Sequence, residues 1–159
     1  MSQDSGAQWA EARAWRFSDW HPPLMAAAWG LVDRVVAGPV GMLVLHNAAF
    51  WGACALLWRA TRGRSKWLGV ALCAFGLLPQ VLSHLSTVWK DAGLGVSLLL
   101  AAALLYTASR TNSRAALVAA MPPLFYGFGV RLNAAPAVLP LALWAGVLAC
   151  RAAPALRDG

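Results

Sequence analysis

Charged residues are scarce in this sequence, at 12% of its 159 residues, whereas soluble globular domains average about 25%. Apolar residues make up 60% of it. A chain of this length has too little core volume to hide that much apolar surface from water. The composition therefore argues against a water-soluble enzyme or a disordered protein. It predicts an all-α, polytopic membrane protein with a single transmembrane domain over residues 1–159.

Cysteines are few and isolated, and the basic residues do not cluster. Cys54, Cys73 and Cys150 lie far apart in apolar runs, without the CxxC or His/Cys spacing of a zinc or redox site. The net charge is +7, but single Lys and Arg residues sit between apolar runs instead of forming a basic patch. We therefore predict no metal centre among the cysteines and no nucleic-acid partner.

The first 23 residues contain no hydrophobic stretch, so the sequence predicts neither a signal peptide nor a first transmembrane helix there. We expect residues 1–23 to form an external loop. Residues 24–37 read as an amphipathic helix lying in the membrane interface, with Met25, Trp29 and Val32 on its apolar side. About five transmembrane helices follow. Their predicted ranges are 40–58, 67–86, 92–109, 115–130 and 135–150.

Counting Lys and Arg predicts the orientation, because these residues concentrate on the cytoplasmic side. One side of the predicted bundle carries eight of them. They are Arg59, Arg62, Arg64, Lys66, Arg110, Arg114, Arg151 and Arg157. The other side carries five, which are Arg13, Arg16, Arg34, Lys90 and Arg131. The N-terminal segment and the loops at Lys90 and Arg131 are therefore predicted to be external, and the C-terminus cytoplasmic.

The external side collects the polar residues that are candidates for chemistry. They are Asp4, Asp19, His21, Lys90, Asp91, Arg131 and Asn133. Structural roles compete with functional ones here, since Asp19 suits a helix N-cap and Lys90 with Asp91 suits a local ion pair. His46 and Asn47 lie at mid-depth in a predicted span, where we expect an interhelical hydrogen bond. His84 lies close enough to the external end of its predicted span to reach a cavity formed by these external polar residues.

The run Asp19-Trp20-His21-Pro22-Pro23-Leu24 resembles the first luminal loop of GT-C glycosyltransferases. These polytopic enzymes use a polyprenyl-phosphate-linked sugar, and the protein O-mannosyltransferases among them carry a similar Asp-x-His-Pro-Pro-Leu. Trp89-Lys90-Asp91 and Arg131-x-Asn133-Ala134 are similar to elements of bacterial polytopic glycosyltransferase-like proteins. The resemblance implies sugar transfer from a polyprenyl-phosphate donor at the external face of a bacterial inner (plasma) membrane.

The resemblance also implies roles for individual residues. An acidic residue early in the first loop is the family's usual base or metal-associated carboxylate, which points to Asp4 and, next, to Asp19. Arg131 and Lys90 are the cations suited to a lipid phosphate. His21 suits a hydrogen bond to that phosphate or to Asp19, and Asn133 suits sugar or phosphate oxygens. Asp91 joins this substrate-binding group.

The sequence departs from the family in two ways, and these departures leave a second hypothesis open. The family has a transmembrane helix directly before its acidic loop, and it has more spans, so we expect this chain to correspond to part of such an enzyme. The alternative is a non-catalytic polytopic membrane protein, either a lipid-carrier transporter or an accessory subunit. A divalent metal is compatible with Asp4, Asp19 and Asp91 on one side, although no ligand spacing indicates one. No P-loop or nucleotide-sugar motif occurs.

Overall fold

The computed structural model describes residues 3–17, 23–63, 67–131 and 133–152, with residues 3 and 4 described by their backbone alone. These ranges contain helices and no strand, which confirms the all-α prediction. The helices are α1 (Gln3–Ala14), α2 (Pro23–Asp33), α3 (Val40–Thr61), α4 (Trp67–Gly76), α5 (Pro79–Leu85), α6 (Lys90–Thr111), α7 (Arg114–Ala119), α8 (Met121–Val130) and α9 (Ala135–Ala152).

Three of these helices, α3, α6 and α9, are long and apolar enough to cross a membrane. The pair α4 and α5 is bent by 63° and provides a fourth crossing if the two form one broken span. The segment Arg114–Val130, which contains α7 and α8, is apolar but shorter. Membrane-spanning helices are therefore supported, while the number five stays a prediction.

Prolines explain why the second and fourth predicted spans are interrupted. Leu78, which precedes Pro79, has an extended ψ of 137°, because a residue before proline is pushed out of the helical region. Pro122 lies in the first turn of α8, where its missing N–H costs nothing. Two prolines in an apolar run are typical of a kinked or interrupted helix, and a helix boundary falls just before Pro122 and Pro123, at Ala120.

The helix α6 lies at the centre of the bundle and packs against α3, α7, α8 and α9. Within its apolar window 44% of the residues are buried, against 11% in α9, which lies at the periphery. Gly93, Ser97 and Ala101 follow one another at four-residue spacing on its buried face. Small side chains at this spacing let neighbouring helix backbones approach closely.

The N-terminal segment differs from the loop that we expected, because residues 3–14 form a helix. Its helix-favouring residues include several alanines with Gln8 and Glu11. Ser5, Gln8 and Ala12 share one face by their spacing of three and four, and all three are buried. Helix α1 packs this face against the rest of the protein, and its main neighbour is α2.

Helices α1 and α2 together form what we call the cap. Met25 and Trp29 of α2 are fully buried, in a core cluster shared with Ala12, Met42 and Val130. The apolar side that we predicted to face lipid therefore packs largely against protein. The Ser5 hydroxyl donates a hydrogen bond of 2.6 Å to the Val88 carbonyl, so the cap covers the end of the bundle where α6 begins and α8 ends.

Candidate functional site

An ion pair joins two of the predicted site residues at the capped end of the bundle. The Arg131 guanidinium donates a hydrogen bond through Nη1 to Oδ1 of Asp91, although the two residues are 40 positions apart. Their side chains are 36% and 49% exposed, respectively. The pair is therefore accessible to a ligand that approaches from the surface.

Helix ends bring this pair together. Trp89 is extended and precedes the first turn of α6, which contains Asp91, where a carboxylate also interacts favourably with the helix dipole. Arg131 is extended and directly follows α8. Because α6 and α8 pack side by side with the start of one beside the end of the other, the two side chains meet.

The other predicted residues lie around this pair or outside the described residues. Lys90 is half-buried and adjacent to Asp91, and Asn133 is exposed in the turn before α9. Asp4 belongs to the first turn of α1, one residue before Ser5, whose hydroxyl contacts the Val88 carbonyl. Asp19 and His21 lie outside the described residues, as does the N-cap role considered for Asp19.

An apolar groove of about 490 Å³ opens beside Asp91, between α3, α4, α5 and α6. We call it the α5–α6 groove. Its apolar lining includes Phe50, Phe75, Val96 and Leu99. Its polar groups come from three residues that line it as well, Gln80, His84 and Asp91. The groove therefore combines a long apolar wall with a small polar region that adjoins the Asp91–Arg131 pair.

His84 is held at this groove by its own helix. Its Nδ1 lies 2.8 Å from the Gln80 carbonyl oxygen, and its ring packs edge-on against Trp89 with ring centroids 6.4 Å apart. The sequence predicted that His84 reaches the external cavity, and the structure has it lining the same groove as Asp91. Its Nε2 is the ring nitrogen left to contact a ligand.

Two side chains with buried polar atoms, His46 and Tyr126, lie close to Gly93, an arrangement that sequence reasoning did not identify. His46 is only 4% exposed. A Cβ built on Gly93 would lie 3.2 Å from His46 Nε2 and 3.2 Å from the Tyr126 hydroxyl. Among the described residues, neither His46 ring nitrogen nor the Tyr126 hydroxyl has a hydrogen-bond partner. The sequence signal was a lone tyrosine between Pro123 and Gly127 in an apolar run.

Asn47, in contrast, makes the interhelical hydrogen bond that we expected of this region. Its side-chain amide donates to the Leu43 carbonyl at 2.8 Å and to the Leu85 carbonyl at 2.9 Å. The second bond ties α3 to the end of α5. The prediction therefore holds for Asn47, while His46 makes no such bond within the described part of the chain.

The Asp33 side chain connects the two helices of the cap with the turn that follows them. Its Oδ1 accepts hydrogen bonds from the Gly38 backbone N–H at 2.6 Å and from the Trp9 indole at 3.2 Å. Arg13 Nε lies 3.8 Å from its other oxygen. The Gly38 hydrogen bond, followed by the Trp9 bond and the Arg13 charge, lowers the pKa of Asp33 below its usual value. The carboxylate therefore stays ionised at neutral pH.

Within the described residues, no group of three or more His, Cys, Asp or Glu side chains could hold a metal ion. Searches with the sequence matched no family model and no curated protein, and no solved structure matches the fold. The fold and the site therefore define the general class of this protein and not a family. The chain is an all-helical protein with several helices able to span a membrane, as in multi-pass membrane proteins.

Proposed function

We propose that this protein binds a polyprenyl-phosphate-linked sugar and transfers the sugar at the external face of a bacterial inner membrane. The observation that carries the proposal is the Asp91–Arg131 pair beside an apolar groove of about 490 Å³. A polyprenyl phosphate has the matching shape, with a long apolar chain and one anionic group. The resemblance of residues 19–24 to the first loop of GT-C glycosyltransferases supports the same substrate.

The isoprenoid chain would lie along Phe50, Phe75 and Leu99, and its phosphate would reach Arg131. A guanidinium grips phosphate with two parallel hydrogen bonds. The phosphate competes with Asp91 for Arg131, so ligand binding exchanges one anionic partner for another. Negative charge grows on the phosphate as the glycosidic bond breaks, and Arg131 and Lys90 stabilise that charge.

In the transfer step, the bond between the sugar carbon and the phosphate oxygen breaks, and the acceptor oxygen bonds to that carbon. Polyprenyl phosphate leaves with the electron pair. The acceptor's proton moves to a carboxylate, for which Asp4 and Asp19 are the candidates. His21 and Asn133 would hydrogen-bond substrate oxygens.

Binding is tested first, with polyprenyl phosphate and the full chain in lipid nanodiscs. Arg131→Gln removes a charged hydrogen-bonding group, which is worth about 1.5–3 kcal/mol, so we expect at least a roughly tenfold loss of affinity. Arg34→Gln removes an exposed arginine of the same capped end and is the matched control. Equal affinity in the two variants would contradict the proposed phosphate site.

The groove is tested by filling it. Gly95 lines the groove, and a Cβ built on it meets nothing within 4 Å. Gly95→Leu should therefore block the isoprenoid chain without disturbing the fold. Gly52→Leu, at an equally open position on α3 outside the groove, should leave binding unchanged.

Transfer is tested last, with a radiolabelled polyprenyl-phosphate sugar and membranes as the source of acceptor. Asp4→Asn and Asp19→Asn should both retain binding. Whichever of the two removes the carboxylate that accepts the proton should lose transfer. Binding by the wild-type protein without any transfer would favour the non-catalytic alternative, a lipid-carrier transporter or accessory subunit.

A further inference from the structure

A second pocket, of about 370 Å³, lies at the end of the bundle opposite the cap. It is formed where α6 ends, α7 begins and α9 ends. Two arginines line it, Arg114 and Arg151. It shares no residue with the α5–α6 groove, so it is independent of the function proposed above.

The arginine side chains are arranged to meet an anion. Arg114 Nη2 donates to the Ala152 carbonyl at 3.0 Å, which ties α7 to the end of α9 and leaves the other guanidinium N–H groups available. Neither arginine forms an ion pair with any residue in the described ranges. Two positive charges therefore share one pocket without a compensating carboxylate from the described residues.

Acidic side chains are concentrated at the other end of the bundle. The described ones, Glu11, Asp33 and Asp91, belong to the cap or to the first turn of α6. The pocket end carries Arg59, Arg62 and Arg110 in addition to its two lining arginines. The electrostatic potential at this end is therefore positive, which raises the local concentration of anions.

Neutral polar groups and an apolar wall complete the pocket. Asn112 ends α6 in the left-handed conformation, with a φ of 52°, and it lines the pocket. Ser113 accepts a hydrogen bond from the Ala116 N–H, so its own hydroxyl proton remains available to an acceptor. Leu117 and Leu148 form the apolar side. Hydrogen-bond donors and leucines in the same pocket match an amphiphile with an anionic head.

We propose that this pocket binds a phosphate group, and that the phosphate belongs to the head group of an anionic phospholipid. Basic pockets between membrane helices on the cytoplasmic side take such head groups, and the distribution of arginines predicts that this end faces the cytoplasm. Arg114 and Arg151 grip the phosphate, Asn112 and Ser113 donate to its oxygens, and the acyl chains lie along Leu117 and Leu148.

The test uses the full chain in zwitterionic nanodiscs to which phosphatidylglycerol is added, with bound lipid counted by native mass spectrometry. The double variant Arg114→Gln/Arg151→Gln should retain the lipid at least about tenfold more weakly, since each arginine contributes charged hydrogen bonds. The control Arg59→Gln/Arg62→Gln removes two exposed arginines from the same end but outside the pocket. An equal loss in both variants, or a loss in neither, would overturn the proposal.

Two further variants separate a lost site from a damaged fold. Arg114→Lys/Arg151→Lys retains both charges but not the planar fork, and it should bind more tightly than the glutamine pair and more weakly than wild type. Leu148→Trp fills the apolar side without changing any charge, and it should displace the lipid. Full retention of phosphatidylglycerol by Leu148→Trp would contradict the proposed position of the acyl chains.

Inorganic phosphate and glycerol phosphate identify the source of the phosphate. The lipid assignment predicts that neither raises the thermal midpoint at millimolar concentration, whereas phosphatidylglycerol does so. A rise with inorganic phosphate that is lost in Arg114→Gln/Arg151→Gln would assign the pocket to a soluble phosphate and overturn the lipid assignment.

Discussion

Asp33 is a single carboxylate that joins α1, α2 and the turn before α3. It accepts hydrogen bonds from Trp9 and Gly38 and lies close to Arg13. Gly38 has a φ of +89°, a backbone conformation that glycine adopts without strain. The turn thereby presents its N–H to the carboxylate, and one side chain links α1, α2 and the turn that follows them.

Replacing Asp33 with Asn should loosen the cap and lower the thermal midpoint by a few degrees at pH 7. The folded pKa is lowered, so the stabilisation is fully present above the unfolded value of about 3.9. It is lost as the pH falls through the still lower folded value. The difference in thermal midpoint between wild type and Asp33→Asn should therefore shrink below about pH 4.

Trp9→Phe provides the control for that prediction, because it removes one donor to Asp33 without changing charge. The effects of Trp9→Phe and Asp33→Asn should be less than additive. Tryptophan fluorescence recorded during heating, across the pH range, measures the thermal midpoints of both variants. A constant difference between wild type and Asp33→Asn from pH 7 down to pH 2 would contradict the assigned role.

For single residues, the sequence predicted the end of the bundle at which they lie better than it predicted their contacts. Charge counting indicated that Asp91 and Arg131 share a side of the membrane, but not that they touch, since contact depends on how α6 and α8 pack. His46 was noticed because a histidine is rare in an apolar helix. Tyr126 stands out as a lone tyrosine in an apolar run, but nothing in the sequence indicates that it lies with Gly93 near His46.

At the scale of helices, α1 and α2 approach each other closely at Gly30. A Cβ built there would lie 2.8 Å from the Ala12 carbonyl oxygen. Backbone cannot yield as a flexible side chain does, so a methyl group at this position must push the helices apart. The glycine is therefore what permits α1 to pack on α2.

Gly30→Ala should destabilise the cap by about 1–3 kcal/mol, the usual cost of overpacking. Limited proteolysis of the purified chain measures the effect, and α1 should be cleaved faster in the variant. Gly6→Ala on α1 is the control, because its Cβ meets nothing within 4 Å and alanine favours helix. Equal cleavage rates for Gly30→Ala and Gly6→Ala would show that the contact does not hold the cap.

Helices were predicted best where apolar runs are long. The predicted spans 40–58, 92–109 and 135–150 correspond to α3, α6 and α9. Pro79 inside an apolar run indicates that the helix is disturbed there, but not by how much, so the bend of 63° between α4 and α5 needed the structure. Helix α1 was missed because its buried face consists of small and polar residues, which give no hydrophobic periodicity.

At the scale of the whole molecule, the two ends of the bundle differ in charge and in structure. The cap, Asp91 and Arg131 lie at one end, and Asn112 with the arginine pocket lies at the other. If the bundle crosses a membrane, these two ends must face different compartments. This consequence is independent of the function proposed for either end.

Cysteine labelling of intact cells with an impermeant thiol reagent should therefore distinguish the two ends. In a background with Cys54, Cys73 and Cys150 replaced by Ala, we expect Asp91→Cys to be labelled from outside. Asn112→Cys should be labelled only after the cells are opened. Labelling of both positions in intact cells would contradict the transmembrane arrangement, and the reverse result would invert the orientation.

The sequence by itself determined that the chain is helical and suited to a membrane, because apolar content and the length of apolar runs are properties of composition and order. It also placed Lys90 and Asp91 at the start of one apolar helix and Arg131 at the end of another. Only the tertiary structure decided what those residues meet. The pair of Asp91 with Arg131, the groove beside them and the arginine pocket each join helices distant in sequence, and such contacts depend on packing geometry that no local pattern encodes.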